Sequence, residues 1–428
     1  MLLDPLDWSL EFRADEVHAV LPAELRGRVT LETHAAVMEI ATGVHSSVGD
    51  AVSELSQLRD RLARALADQN LRAAVAGTHP CAEASDTVLS SQPRYRQIGD
   101  SMRVLARREP TLATHVHIGV ARPDDAIRLL NRLRAELPIL LALSANSPFW
   151  RGRSTGFAST RTTLFDAFPR SGLPRSFRSY ADWVATVERL LRAGAISDPS
   201  FLWWDARLQP RYGTVEIRIM DGQSKVEDVA ALAALVQGLA SLELARRADP
   251  GTDPRADELI EENRFRAARD GIAARLIAER TGRRIAVSER LEQLFDACGD
   301  HARRLGCERQ LGSARRLARQ NGAERQLADA RRHDDLRCVT AGLSDAYMPQ
   351  RPRAMPLQAV ASCASAAAAA TMPAAAQLGS WNPGPEHSGV RFGDDNDRAH
   401  YSCVCGHAFK AGVTSSVHCP RCGTTQPW

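Results

Sequence analysis

Apolar positions recur at helical spacing through much of the first 345 residues. Behind Ser47, Val48, Val52, Leu55, Leu58, Leu62 and Leu66 fall on one stripe, which predicts a long amphipathic helix. Pro123-Asp124-Asp125 opens a second helix, because proline suits the first helical position and acids suit the positive end of the dipole. It is expected to pass Leu129, Leu130, Leu133 and Leu137 toward Ser144, with a kink or break at Pro138. Helices are also predicted over 226–248 and 257–280, and a charged Arg/Ala/Leu helical run over 303–332. Two stretches alternate instead. In 114–120, Val116, Ile118 and Val120 face one way and His115, His117 and Gly119 the other. In 214–220, Val215, Ile217 and Ile219 point to a core, while Glu216 and Arg218 share the opposite face. Such alternation belongs to a sheet with one packed and one polar face, so an antiparallel α+β fold is expected. No stretch reads as both long and apolar enough to span a bilayer.

The periodicity stops near residue 349. Beyond it come Pro349, Pro352, Pro356, the run Ala366–Ala370, Pro373, Pro383 and Pro385, a linker composition. The chain is therefore expected to divide into a domain over 1–345, an Ala/Pro/Gly linker over 346–398 and a small module over 399–428.

Charge narrows the chemistry. Lys+Arg number 55 and Asp+Glu 51, a net +4, which argues against a nucleic-acid binder with a concentrated basic stripe. Lysine occurs only at Lys225 and Lys410. No Gly-rich loop ends in Gly-Lys-Ser/Thr, so a Walker-type phosphate cradle is excluded. Phosphates would have to be met by arginines, backbone N–H groups and metal ions. The start, Met1-Leu2-Leu3-Asp4-Pro5, lacks a basic stretch of the secretory type, and a cytoplasmic protein is expected.

Four of the nine cysteines crowd into the last 26 residues. Cys419-Pro420-Arg421-Cys422-Gly423 has the form of a zinc knuckle, and Cys403-Val404-Cys405-Gly406 is its shorter partner. Four thiolates at this spacing predict a closed tetrahedral Zn2+ site, with His407 and His418 in reserve. A closed site supplies folding energy, not catalysis. Cys81 has no partner base nearby and reads as structural.

Glu32 and Glu39 add to the histidines, glutamate and arginine of the two alternating stretches. Seven residues apart, they would share a face on a helix and oppose each other on a strand; the local pattern allows either. Carboxylates with imidazole suit Mg2+ or Mn2+ at an ATP site better than structural zinc.

Seven blocks occur in order: Gly77-Thr78-His79-Pro80, His115-Val116-His117-Ile118-Gly119, Leu143-Ser144-Ala145-Asn146-Ser147-Pro148-Phe149, Phe157-Ala158-Ser159-Thr160-Arg161, Trp204-Asp205-x-Arg207, Gly213 through Asp221, and Asn263 through Gly271. Together they resemble the bacterial carboxylate–amine ligases of the glutamate–cysteine ligase type 2 family, over about residues 1–345. The resemblance implies a glutamine-synthetase-like catalytic fold, a curved antiparallel sheet with helices behind it. It implies ATP, glutamate and an amine such as cysteine as reactants, and a γ-glutamyl amide made through an acyl phosphate. Mg2+ (or Mn2+) would be held by Glu32, Glu39, His115 and Glu216. Arg218 would stabilise the transferring charge beside Glu216, Arg161 would hold an amino-acid carboxylate, and His117 would bind or orient substrate. Relatives begin with a strand of closely spaced acids, whereas Leu2-Leu3-Asp4-Pro5 resembles the segment just after that strand, so the strand is expected to be missing. This leaves room for a second reading: a catalytically impaired relative acting as a binding or regulatory protein through its ribbon. A protein partner for the ribbon and an oligomer are both compatible with the sequence.

Overall fold

The computed structural model describes residues 1–83, 87–246, 257–278, 281–347, 398–402, 408–412, 416–418, 420–422 and 425–427. The two alternating stretches lie side by side. Val116–Gly119, Thr214–Ile217 and Ala206–Gln209 form an antiparallel sheet with Thr214–Ile217 in the middle. Across one face, Val116, Ile217 and Ala206 stand in a row, and Ile118, Val215 and Leu208 in the next. These apolar rows pack on the helices Pro123–Leu133 and Val226–Ala245. The other face carries the row His117, Glu216, Arg207.

The ladder is shorter than the continuous curved sheet that was expected. Both Arg218 N (2.7 Å) and Ile219 N (3.1 Å) donate to Asp205 O. Two residues thus oppose one, a bulge that bends the strand and interrupts pairing. Beyond it the chain pairs in fragments, including Val29–Leu31 with Met38–Ile40, Leu2–Leu3 with Arg72–Ala73, and the single bridge Ala113↔Asp221.

The helices follow their signals with three corrections. Ser47 caps Val48–Ala67 by accepting from Asp50 N, and the break near Pro138 is a 3-10 turn, Arg134–Glu136, between Pro123–Leu133 and Leu137–Ser144. The helix expected over 257–280 stops at Asp270, where Gly271 takes φ +54°, and a hairpin of Arg275–Ile277 with Arg284–Ala286 comes next. The single run over 303–332 is broken at Gly306 (φ +66°) and at Asn321, whose side chain caps the next helix. Thirdly, Val226–Ala245 is long and apolar enough to cross a bilayer by length and composition. It is nevertheless a core helix, packed against Val287–Arg304, Glu308–Leu317 and Val48–Ala67, which accounts for its apolarity.

The chain forms two units, Met1–Ala354 and Met355–Trp428. Most of the expected 346–398 linker lies outside the described residues. The second unit contains two antiparallel hairpins, Arg398–Ser402 with Ala408–Gly412 and Ser416–His418 with Thr425–Pro427. Cys403, Cys405 and Cys419 lie outside the described residues; Cys422 sits exposed in a turn.

His79, in the first of the seven blocks, is a buried structural group. Its Nδ1 accepts from Cys81 N (3.1 Å) and Ala82 N (3.0 Å), and Nε2 donates to Trp8 O (2.9 Å), which fixes the neutral tautomer. Burial pushes its pKa down to about 4. The unfolded chain takes up this proton near 6.5, so stability is level above that pH and falls as pH drops from there toward 4, by roughly 3 kcal/mol. His34, also lowered by burial, adds to the fall. Urea unfolding at pH 7.5 and 4.5 should show this loss, and His79→Gln should reduce the difference. Burial also pushes the Cys81 thiol up to about 11, which keeps it protonated and inert.

Candidate active site

Strand register alone brings three chemistries into one row on the sheet's polar face. Glu216, on the middle strand, is flanked by His117 on one side and Arg207 on the other. Its side chain is only 2 % exposed, so the face expected to be polar is enclosed at this point. Arg207 Nε donates to Glu216 Oε2 (2.6 Å), and Arg218 Nη1 donates to Oε1. Burial by itself would raise the Glu216 pKa. The charges of Arg218, His115 and Arg207, with the Arg207 hydrogen bond, outweigh it and hold the group ionised well below the usual carboxylate range.

Around this core stand the other expected residues. His115 Nδ1 lies 3.6 Å from Glu216 Oε1 and 3.9 Å from Glu39 Oε1. His117 Nε2 lies 3.7 Å from Glu216 Oε1, and its Nδ1 hydrogen-bonds Thr214 Oγ1 at 2.9 Å. Burial, then the Arg218 charge, drives the His115 pKa well below the ordinary value, so it is neutral at physiological pH. Glu39 comes from the strand Met38–Ile40, and Glu32 lies just past its partner strand Val29–Leu31. The seven-residue spacing is therefore that of a hairpin, not two turns of helix. Glu39 is open to solvent on one side, with 53 % side-chain exposure, and walled by protein on the others. That burial, with the nearby charges of Glu32 and Glu216, raises its pKa.

Arg161 is placed differently from the expectation. It is buried on the helix Thr160–Phe165 and turns its fork inward. Nη1 donates to Ile219 O (3.0 Å) and Nη2 to Arg218 O (3.1 Å). The correction has a clear cause: the bulge frees the 218 and 219 carbonyls, and a planar fork suits two adjacent acceptors. Arg161 therefore positions the Arg218 backbone from one side while Asp205 O takes both N–H groups from the other. Asp205 is held in turn by Arg264, whose Nε donates to Oδ2 (2.5 Å) and whose fork pairs with Asp166.

Arg207, Asp205 and Arg264 carry no assigned role in the sequence pattern, although all three lie within its seven blocks. A signal for Arg207 existed. The turn Pro210–Gly213, closed by Gly213 at φ +62°, folds Ala206–Gln209 onto Thr214–Ile217 and sets 207 opposite 216.

No group of three or more His, Cys, Asp or Glu side chains among the described residues forms a ready cage for a cation. The donor set still suits Mg2+. Glu39 crowds against Glu32 and Glu216 with a raised pKa, a repulsion that a dication would relieve. Mg2+ commonly uses only one or two protein carboxylates and completes its shell with water and substrate phosphates.

The α+β framework, as a fold, is shared with solved structures. The glutamate–cysteine ligase of Francisella tularensis, solved with AMP, shares the fold with a TM-score of 0.59 at 14% identity, covering 82% of this chain and 88% of that one. A bifunctional glutathione synthetase from Pasteurella multocida gives 0.53 at 12% identity, covering 74% of this chain and 46% of that one. The chain itself belongs to the Glutamate-cysteine ligase family 2 (GCS2), whose model matches residues 5–342. A Rubrobacter xylanophilus protein provisionally named glutamate–cysteine ligase 2-1 is 36% identical over 310 residues, 72% of this chain and 82% of its own length. A Sorangium cellulosum protein provisionally named glutamate–cysteine ligase 2 is 37% identical over 294 residues, 68% of this chain and 78% of its own.

Proposed function

We propose that this chain is an ATP-dependent carboxylate–amine ligase of the glutamate–cysteine ligase type. The observation that carries the reading is Glu216 gripped between Arg207 and Arg218, with His115, His117 and Glu39 grouped around it. Phosphoryl transfer demands positioning and charge neutralisation more than covalent chemistry from the protein. On this face the arginines do that work. Glu216 aligns Arg207 and Arg218 and cancels part of their repulsion, so both stay extended toward the same side of the sheet. Arg207 Nη1 is spent on Ser200 O (2.9 Å) and Leu202 O (2.8 Å), so Arg207 holds Glu216 in place. The remaining N–H groups of Arg218 would take phosphate oxygens, and neutral His117, partly exposed, would orient a substrate oxygen. Glu39 and His115, with Glu216 and Glu32 nearby, would hold Mg2+, which neutralises triphosphate charge when bound. The γ-phosphoryl group passes to a glutamate γ-carboxylate oxygen as its bond to the bridging oxygen breaks and ADP leaves. The amine nitrogen then bonds the acyl carbon, the acyl C–O bond to phosphate breaks, and the amine gives up a proton.

Purified chain incubated with Mg-ATP, glutamate and cysteine should release ADP only when both acid and amine are present. ADP release indifferent to the amine, or none, would favour the catalytically impaired binding or regulatory reading.

For the second unit, the proposal is a structural zinc ribbon with Cys403, Cys405, Cys419 and Cys422 as ligands. Each cysteine pair falls in the segment joining the two strands of one hairpin, the usual place for a knuckle. Elemental analysis should give one zinc per chain, lost on Cys419→Ser. Metal-free wild-type protein would refute the assignment.

A further inference from the structure

A polar cavity of about 380 Å3 lies between the helices Gly322–Ala330 and Leu336–Tyr347. Its volume is in the range of small-ligand sites. Local sequence explains why it is open. Leu336–Tyr347 presents Gly342 and Ala346 to it, one turn apart and too small to fill the gap; a Cβ on Gly342 would come within 3.5 Å of Asp329 Oδ2. The facing helix lines it with Arg325 and Asp329, and Arg332 sits just past the helix end.

The charges are unbalanced in a specific way. Arg325 is paired with Asp228, and Arg332 with Asp329 at 3.3 Å. The Lys225 ammonium, on the rim, makes no ion pair or hydrogen bond among the described residues. It is also the one lysine of the larger unit. Its charge is felt by Asp228, which Arg325 already pairs, so three cations meet two paired carboxylates and a further carboxylate is favoured.

The floor supplies the complementary group. Gln326 is 2 % exposed, and its Nε2 donates to both Asn146 O (2.9 Å) and Asn146 Oδ1 (2.8 Å). Two acceptors on that nitrogen fix the amide's orientation, so Oε1 is the atom left over, and it has no hydrogen-bond partner among the described residues. Gln326 lines the cleft, and its carbonyl oxygen, with no described protein group donating to it, can accept from an N–H donor there. Cation at the rim, acceptor on the floor and a small apolar wall at Gly342 and Ala346 together match an α-amino acid in its zwitterionic form.

We propose that this cleft binds a free α-amino acid, its carboxylate on Lys225 and its ammonium on Gln326 Oε1. The cleft is lined by none of the residues assigned to the proposed catalytic face, and the inference does not depend on the ligase reading. Calorimetric titration of the full chain with L-glutamate, L-cysteine and L-alanine should show at least one amino acid whose binding Lys225→Ala weakens tenfold or more. Gly342→Leu, which fills the cleft, should abolish the same binding. Lys225 is exposed, so its variant should fold as the parent does, and turnover with saturating substrates should be unchanged in it. The inference is overturned if no amino acid binds, or if Lys225→Ala binds each as tightly as wild type. Succinate or inorganic phosphate binding this site as tightly as any amino acid would also overturn it, by showing a plain anion site. Absent ligase turnover with this binding intact would count against the proposed function alone.

Discussion

Glu216→Gln is expected to remove turnover, lowering kcat by a factor on the order of 10^3, the scale associated with losing one preorganised electrostatic group. The argument is geometric. Glu216 accepts from Arg207 Nε and from Arg218 Nη1, and it is buried. The amide keeps the size but not the charge, so two guanidiniums face each other with one weak acceptor between them. Breaking a buried charge pair by removing one partner costs about 3–5 kcal/mol. Activity should therefore be measured well below the variant's Tm, so that loss of fold and loss of chemistry separate. Arg207→Gln leaves Glu216 its Arg218 partner and should cost less turnover, although it also frees the Ser200 and Leu202 carbonyls that Arg207 Nη1 holds. Equal turnover in wild type and Glu216→Gln would remove this residue from the site.

The second large effect concerns support rather than chemistry. Arg264→Met should destabilise the larger unit by about 3–5 kcal/mol, because Asp205 is left buried without its partner. Burial already pushes the Asp205 pKa up against the pull of Arg264, so with the arginine gone the carboxyl will tend to protonate instead. Asp205 O carries both N–H groups of the bulge, so loosening it should also misdirect Arg218. Thermal unfolding gives the first effect. A fall in kcat with little change in the KM for amine, below the Tm, gives the second. A variant with wild-type Tm would show that the Arg264–Asp205–Asp166 network contributes little.

What the sequence displayed was pattern with a local cause. Alternation in 114–120 and 214–220 identified both strands and the two faces of Val116–Gly119 and Thr214–Ile217, because the pleat has a period of two. Ser47, Pro123 and Pro138 marked helix ends because caps and prolines act within one turn. The hidden parts depend on partners distant in the chain. Arg161 looked like a substrate fork because nothing nearby shows that the bulge at 218–219 turns two carbonyls toward it. The Glu32–Glu39 spacing was ambiguous for the same reason: the hairpin that settles it is made by pairing, not by either glutamate. Val226–Ala245 hid its apolarity among ordinary core residues, and its length became telling only once its ends were fixed. Gly271 and Gly306 ended helices through positive φ, which a periodicity count passes over.

The central claim is that a carboxylate is activated by phosphoryl transfer on the arginine-lined face of the sheet. The most direct test labels both γ-carboxylate oxygens of glutamate with 18O and tracks the label during turnover with Mg-ATP and cysteine. Transfer of one 18O per amide into the released inorganic phosphate is the predicted result. Amide formed with unlabelled phosphate would contradict the account.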